Sequence, residues 1–326
     1  MTAMNIGTSI LACVGIAIGM SSAVAANDPA AYPAKPIHII VPTVPGVPPD
    51  VVARMLAERL QSSMRQAVVI ENRPGAIGTI GLAAVAHAAG DGYTIGMLAM
   101  PFVVAPALIK IPYDLERDFE PVTLVSRAYT MLVVRSDSPM QSVADLVERA
   151  RAQPGAVTFS SPGNGTPPHL AAALLQQETA TTMLHVPYRG PAALTALLGG
   201  DVDFTIGSPY VIWPHVKSGK LHVLATTAPR RLPDYPDVPT FAELGYPAVQ
   251  ITDWQGVVAP KGTPAAIITR VRSELATILA TEEVKRELEA RGLEAANSSS
   301  DEFGKLIASE LRKWGTVARK AGMKAD

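Results

Sequence analysis

The chain has 326 residues, of which 48% are hydrophobic and 17% are charged, and its formal net charge is -1. That length suits one large domain or two ordinary ones, with enough apolar residues for independent cores. The near-neutral balance and the dispersed Lys and Arg residues exclude the basic stripe that a nucleic-acid-binding protein needs, so we expect no nucleic-acid partner.

The first 26 residues are typical of a secretory leader. An apolar stretch runs from Ile6 to Met20, and small residues up to Ala26 form an A-x-A-like cleavage site. We therefore expect a signal peptide over residues 1–26, cleaved near Ala26, and a periplasmic mature protein. Because the leader has no Lys or Arg, three alternatives stay open: a start codon assigned too far downstream, a membrane-anchoring helix, or lipidation at Cys13.

Cys13 is the only cysteine in the sequence. If the leader is cleaved near Ala26, the mature protein has no cysteine at all. It then has no disulfide, no thiolate metal ligand and no cysteine nucleophile.

Short β-branched runs alternate with helical periodicity along the first third of the chain. Ile37 to Val41 predicts a buried strand, and after a break at Pro42 to Pro49 the apolar residues from Val51 to Leu60 recur at helical spacing. Two further strands are predicted at Ala67 to Ile70 and at Thr94 to Leu98. This alternation favours parallel sheets with helices on their faces.

The middle of the chain repeats this pattern, and the last third is more helical. Ser142 to Asp145 resembles a capping box that opens a helix. Thr263 and Pro264 predict another helix start, and a final helix is predicted from about Ser300 to Ala321. Four strands are predicted between these helices, near Val157 to Ser160, Met183 to Val186, Phe204 to Ile206 and Leu221 to Ala225.

The sequence lacks the motifs of common enzyme and cofactor sites. No G-x-S-x-G elbow is present, and the histidines show neither H-x-H nor H-E-x-x-H spacing. The run Gly163 to Thr166 lacks the lysine of a P-loop, and the Gly-rich turn from Pro74 matches no nucleotide fingerprint. We therefore expect no catalytic residues, no metal and no cofactor.

Three loops rich in Gly, Pro, Ser and Thr end a strand and open a helix. They are Thr43 to Gly46, Ser160 to Thr166, and Tyr188 to Gly190. Open α/β sheets bind ligands at the carboxyl ends of their strands, where the first helical amides offer hydrogen-bond donors to an anion. Each loop taken singly is also an ordinary connection.

Taken together, the segments of this chain resemble the solute receptors of tripartite tricarboxylate transporters, the Bug family, from Tyr32 to the end. The segments that carry the resemblance are YPAKPIHIIVP (from Tyr32), VVIENRPGAIGTIG (from Val68), GDGYTI (from Gly90), PYDLERDFEPVTLV (from Pro112), FSSPGNGTPPHLA (from Phe159), HVPYRG (from His185), LLGGDVDF (from Leu197), PDVPTFAELGYP (from Pro236) and VVAPKGTP (from Val257).

The resemblance implies a type II periplasmic binding protein, an α/β fold of two lobes with a ligand cleft between them. Its two chain crossings map to Ser126 to Met131 and to Gln250 to Trp254. The first lobe then comprises residues 31–127 together with the C-terminal helices in 253–326, and the second lobe comprises residues 128–252.

The resemblance also implies the ligand site. In this family the loop after the first strand holds a carboxylate through backbone amides and water. The implied ligand-binding residues are Thr43, Val44, Gly46, Val47, Asp50, Ala99 and Met100 in the first lobe, and Ser161, Asn164, Gly165, Thr166, His169, Tyr188, Arg189, Gly190 and Ser208 in the second.

Two charged residues of this set have alternative interpretations. Arg189 is the one charged residue expected to bind a ligand carboxylate, although the sequence also fits a solvated arginine on the rim of the cleft. Asp50 fits a first-turn carboxylate that satisfies helix amides better than a ligand contact. The implied partners are a small organic acid and the membrane permease subunits of a tripartite tricarboxylate transporter, and we expect a monomer.

The chain departs from the family pattern where it carries extra prolines. This chain reads Gly46-Val47-Pro48-Pro49 where the family usually has Gly-Gly plus Ser or Thr, and Pro167-Pro168 where the family usually has a polar pair. Each proline pair removes two amide donors at a helix start. This loss favours a ligand with one carboxylate and a substantial neutral or aromatic body over a compact di- or tricarboxylate. Proline also fits the first helical turn for structural reasons alone, and that interpretation stays open.

Two other functions remain as alternatives. The same fold serves as a ligand sensor if a signalling protein, and not a permease, recognises its closed form. A periplasmic hydrolase is disfavoured because no Ser–His–acid set is apparent in the sequence.

Overall fold

Apart from Met1, the computed structural model describes residues 32–188 and 192–323. The predicted leader, with Cys13 and Ala26, lies outside the described residues. No helix in the described part of the chain is long and apolar enough to cross a membrane.

The first lobe is built on a six-stranded sheet in the order β11-β4-β10-β3-β1-β2. Its strands are β1 (Ile37–Val41), β2 (Val68–Asn72), β3 (Thr94–Ala99), β4 (Phe119–Ala128), β10 (Asp253–Pro260) and β11 (Glu294–Ala295). Its helices are α1 (Pro48–Met64), α2 (Thr79–Ala86), α3 (Met100–Leu108), α8 (Ala265–Ala280), α9 (Glu282–Glu289) and α10 (Ser300–Lys320).

The second lobe is built on a five-stranded sheet in the order β7-β6-β8-β5-β9. Its strands are β5 (Met131–Arg135), β6 (Thr158–Ser161), β7 (Leu184–Pro187), β8 (Phe204–Gly207) and β9 (Leu221–Thr226). Its helices are α4 (Val143–Ala152), α5 (Pro167–Thr179), α6 (Ala192–Gly199) and α7 (Pro209–Lys217). The prediction of a two-lobed α/β fold is confirmed.

Local sequence signals account for several helix starts. The Ser142 hydroxyl accepts a hydrogen bond from the Asp145 amide (3.1 Å) and opens α4, as predicted. Ser299 and Glu302 form a reciprocal capping box at the start of α10. Thr263 does not cap α8 as predicted, because its hydroxyl donates to the Pro260 carbonyl (2.8 Å) and α8 begins two residues later.

The hydrophobic core covers both faces of each sheet. Ile39 of β1 packs with Leu56 of α1 and Val271 of α8 on one face of the first lobe. The core on the other face continues into the second lobe, since Trp314 of α10 belongs to the same buried cluster as Leu170 of α5. The lobes therefore share apolar packing along their α5–α10 side.

Candidate functional site

The chain leaves and re-enters the first lobe at the edge where its strands end. β4 ends at Ala128, which pairs with Asp253, the first residue of β10. In the second lobe Met131, the first residue of β5, pairs with both Gly207 and Thr226, where β8 and β9 end. The carboxyl ends of these strands therefore lie beside the crossings in both sheets, and they form the two walls of the cleft.

Buried threonines connect the two crossings. The Thr227 hydroxyl donates to the Ile251 carbonyl (3.1 Å) and accepts from the Thr130 amide (3.0 Å). The Thr130 and Thr227 side chains are buried. This network joins three chain segments at the point where the lobes meet.

The loop after β1 is held from beneath by Asp50, which is only 2% exposed. Its carboxylate accepts from the Gly46 amide (2.8 Å), from Arg54 Nε (3.0 Å) and from Asn72 Nδ2 (2.8 Å). Burial raises the pKa of Asp50, but these hydrogen bonds outweigh it and the pKa lies below its usual value. Asp50 thus stabilises the loop, and both of its carboxylate oxygens already accept hydrogen bonds from the protein.

The start of α1 offers few amides to an anion. Pro48 and Pro49 occupy the first two helical positions and have no N–H group. The Asp50 amide donates to the Val47 carbonyl (2.9 Å), and the Gly46 amide is taken by Asp50. The family-implied backbone donors at this helix start are therefore largely absent in this chain.

Thr43 and Val44, the first residues of this loop, differ in their exposure. The Thr43 hydroxyl is buried and has no hydrogen-bond partner in the described part of the chain. The Val44 side chain is 53% exposed. Ala99 and Met100, expected to form the floor, are both buried in the core cluster, and their contact with a ligand stays a prediction.

The corresponding loop of the second lobe is tightly folded around Gly163. The Thr166 hydroxyl donates to the Gly163 carbonyl (2.7 Å), and the Ser161 hydroxyl contacts the same carbonyl (3.0 Å). Ser161 is fully buried, whereas Asn164 and Thr166 are partly exposed. Asn164 and Thr166 are therefore the polar side chains of this loop that are partly exposed.

His169 holds this loop from within α5. Its Nδ1 accepts a hydrogen bond from the Gly165 amide (3.2 Å), so the proton of the neutral ring lies on Nε2. The His169 ring stacks on His185 at 3.9 Å between centroids, and His185 stacks on Phe159 at 4.8 Å. The Ser161 hydroxyl lies 2.7 Å from His185 Nε2. His169 is therefore mainly a loop support, and His185, which sequence reasoning left out, is part of the same assembly.

The two lobes touch at both sides of the cleft. A Cβ atom on Gly165 would lie 2.9 Å from Leu108 at the end of α3, so this loop approaches the first lobe closely. On the other side Gly292, at a φ of +71°, packs against Ser208 and Tyr210 at the start of α7. Ser208, an expected ligand residue, is half-buried at this contact.

The remaining predicted residues follow β7. The Tyr188 amide donates to the Ser161 carbonyl (2.9 Å), which continues the β6–β7 pairing by one residue. Tyr188 is half-buried. Arg189 and Gly190 lie outside the described residues, and their roles in ligand binding stay predictions.

Two polar residues that sequence reasoning missed lie at the start of β10. Gln255 is 1% exposed, and its side-chain oxygen accepts from the Ser126 hydroxyl (2.5 Å). Asp253 is partly exposed, yet desolvation by the surrounding protein raises its pKa to about 7. Asp253 therefore lies beside the two crossings, partly exposed although protein encloses much of it. The sequence signal that could have identified Asp253 is a charged residue at the start of the otherwise buried strand β10.

A second concave surface lies between α8 and α10, on the side of the sheet away from the crossings. Its volume is about 700 Å³. The charged side chains there are already paired, Lys305 with Asp301 (2.6 Å) and Glu120 with Lys261 (2.9 Å). Among the described residues no group of three His, Cys, Asp or Glu side chains could hold a metal ion.

Known proteins resemble this chain over nearly its whole length. The family profile described as tripartite tricarboxylate transporter family receptor matches residues 52–323. Protein BugT of Bordetella pertussis (strain Tohama I) is 36% identical over 321 residues, which cover 97% of this chain and 98% of BugT.

Two solved structures combine similar folds with bound ligands. Rpa4515 of R. palustris with adipate has a TM-score of 0.76 and 32% identity, covering 90% of this chain and 100% of its own. MatC of Rhodopseudomonas palustris with bound malate has a TM-score of 0.74 and 28% identity, covering 88% and 99%. The chain therefore belongs to the family of tripartite tricarboxylate transporter receptors, which are periplasmic solute-binding proteins and not enzymes.

Proposed function

We propose that this receptor captures a small organic acid in the cleft and presents its closed form to the membrane permease subunits of a tripartite tricarboxylate transporter. The observation that carries the proposal is the pair of strand-end loops, at Thr43 to Val47 and at Ser161 to Thr166, on opposite walls beside the two crossings. Adipate and malate in the two similar structures support an acid as the ligand.

The domain arrangement that fits this function has two crossings acting as a hinge. We place the lobe boundaries at residues 31–127, 128–252 and 253–326. Ligand binding would favour the closed arrangement, in which Gly165 approaches Leu108, because the ligand contacts both walls only when they are close.

The ligand class we favour has one carboxylate on a substantial neutral or aromatic body. The start of α1 lacks two amides through Pro48 and Pro49, and the start of α5 lacks two through Pro167 and Pro168. A hydrogen bond to a charged group contributes about 1.5–3 kcal/mol. The loss of two such bonds would turn micromolar affinity for a dicarboxylate into roughly millimolar affinity.

Calorimetry with matched acids tests this proposal. Purified protein would be titrated with hexanoate, 4-methylbenzoate, succinate, adipate and malate at one pH and ionic strength. We expect a monocarboxylate to bind most tightly, and Pro48→Ser combined with Pro167→Ser to improve dicarboxylate affinity. Tighter binding of succinate than of every monoacid would refute the ligand class, and binding of no organic acid would refute the receptor function.

A further inference from the structure

Asp253 occupies a special position at the junction of the lobes. It is the first residue of β10, pairs with Ala128 at the end of β4, and directly follows the second crossing. Strand alternation puts its side chain on the same face of the sheet as Gln255. Its carboxyl is therefore at the cleft edge of a central strand.

No group in the described part of the chain bonds to the side chain of Asp253. Desolvation is the sole cause of its raised pKa, with no hydrogen bond or neighbouring charge contributing. Asp50, the other enclosed carboxylate of this lobe, has donors from Gly46, Arg54 and Asn72. An enclosed carboxyl without donors is costly for the fold, so Asp253 has no evident structural role.

Two other unsatisfied polar groups lie close to the same edge. Gly96 pairs with Ile40 of β1 and with Val258 of β10. Thr43 follows Ile40 by three residues, and Gln255 precedes Val258 by three residues in the antiparallel strand. Thr43 and Gln255 therefore lie at about the same height, near the cleft edge of the sheet. The Thr43 hydroxyl has no partner, and the Gln255 amide nitrogen makes no bond within the described residues. Asp253 thus lies at an edge of the first lobe where two further polar groups, both buried, have unused hydrogen-bonding capacity among the described residues.

We propose that Asp253 accepts a hydrogen bond from a donor group of the ligand, a hydroxyl or an ammonium, carried on the body of the acid away from its carboxylate. The inference rests on the proposed function and narrows its ligand class. A second carboxylate at this position would meet Asp253 as a like charge, and an unsubstituted alkyl or aryl end would leave Asp253 without a partner.

Two series of matched probes test the inference by calorimetry. One series is hexanoate, 6-hydroxyhexanoate and 6-aminohexanoate, and the other is 4-methylbenzoate, 4-(hydroxymethyl)benzoate and 4-(aminomethyl)benzoate. In at least one series we expect a donor-bearing member to bind about 10- to 150-fold more tightly than its parent acid. A gain for both donors indicates hydroxyl recognition, and a gain for the amine alone indicates a cationic nitrogen.

The isosteric variant Asp253→Asn assigns the effect to this carboxyl. We expect it to lose most of the donor preference, so that donor-bearing and parent acids bind it with similar affinity. Asp237→Asn, at an exposed carboxylate between β9 and β10, is the matched control and should keep the preference.

Three outcomes overturn the inference. It fails if the parent acids bind as tightly as their donor-bearing analogues in both series, although the proposed receptor function then stands. It also fails if Asp253→Asn retains the preference. If no probe of either series binds folded protein, this inference fails, and the receptor function fails with it only if succinate, adipate and malate do not bind either.

Discussion

Replacement of Asp253 by asparagine should make the unliganded protein more stable at alkaline pH and change little at acidic pH. Desolvation raises the pKa of Asp253 from 3.8 to about 7 in the folded protein. When the pKa of a carboxyl is higher in the folded protein than in the unfolded chain, the free energy of unfolding falls as the pH rises, because the carboxyl ionises more readily in the unfolded chain. The cost begins near pH 4 and is complete above about pH 7.

The size of this cost follows from the separation of the two pKa values. About three units at 1.36 kcal/mol per unit correspond to roughly 4 kcal/mol. Water reaches the side chain of Asp253, so we expect about half of this value, about 2 kcal/mol. Asparagine has the same shape and no charge, and it therefore removes the cost.

Thermal unfolding at pH 5 and at pH 8 measures the effect. Asp253→Asn should raise Tm by about 4 °C more at pH 8 than at pH 5, since 1 kcal/mol corresponds to about 2–4 °C for a large domain. Asp237→Asn, at an exposed site, should show no such difference between the two pH values. An equal Tm change for Asp253→Asn at both pH values would refute the assignment of Asp253 as an enclosed carboxyl without partners.

Three further predictions concern the remaining features. Asp50→Asn should destabilise the protein by about 3 kcal/mol in urea unfolding at pH 7, because the carboxylate accepts three hydrogen bonds. The wild type should lose the same stability below pH 3.8, as the pH falls through the lowered pKa of Asp50. An unchanged urea midpoint for the variant would contradict the structural role of Asp50. Arg189→Ala should weaken binding of the best acid about 10- to 150-fold through loss of a charge-assisted bond, and an unchanged Kd would place Arg189 on the solvated rim. Mass spectrometry of exported protein should give an amino terminus between about Ala23 and Pro29, whereas a lipid on Cys13 would exclude this cleavage.

Hydrophobic periodicity predicted an α/β fold, whereas its two lobes were implied only by the family resemblance. Both sheets contain the predicted parallel strands, but β10 and β5 run antiparallel to their neighbours. Ser142 marked the start of α4 correctly. Helix α3 was missed because it contains Pro101 and Pro106, which ordinarily argue against a helix. Its first residues use the turn where proline is tolerated, and its apolar side chains are buried, so tertiary packing outweighed local propensity.

The site was harder to predict than the fold because side-chain roles depend on burial and on partners distant in sequence. His169 was expected at the ligand, yet its ring supports the Gly165 turn and stacks on His185. Asp253 looks like an ordinary first residue of a strand in the sequence, and only burial in the folded protein raises its pKa.

The polar groups on the two walls favour one ligand orientation. In the first lobe the prolines at the start of α1 remove anion-binding amides, while Asp253 adds an acceptor that repels a second negative charge when ionised. The expected cation, Arg189, belongs to the second lobe, where Asn164 and Thr166 are partly exposed. We therefore propose that an acid with a single carboxylate binds with its carboxylate toward the second lobe and its donor-bearing end toward Asp253. In that orientation closure would require both ends of the ligand, because each wall would recognise a different group.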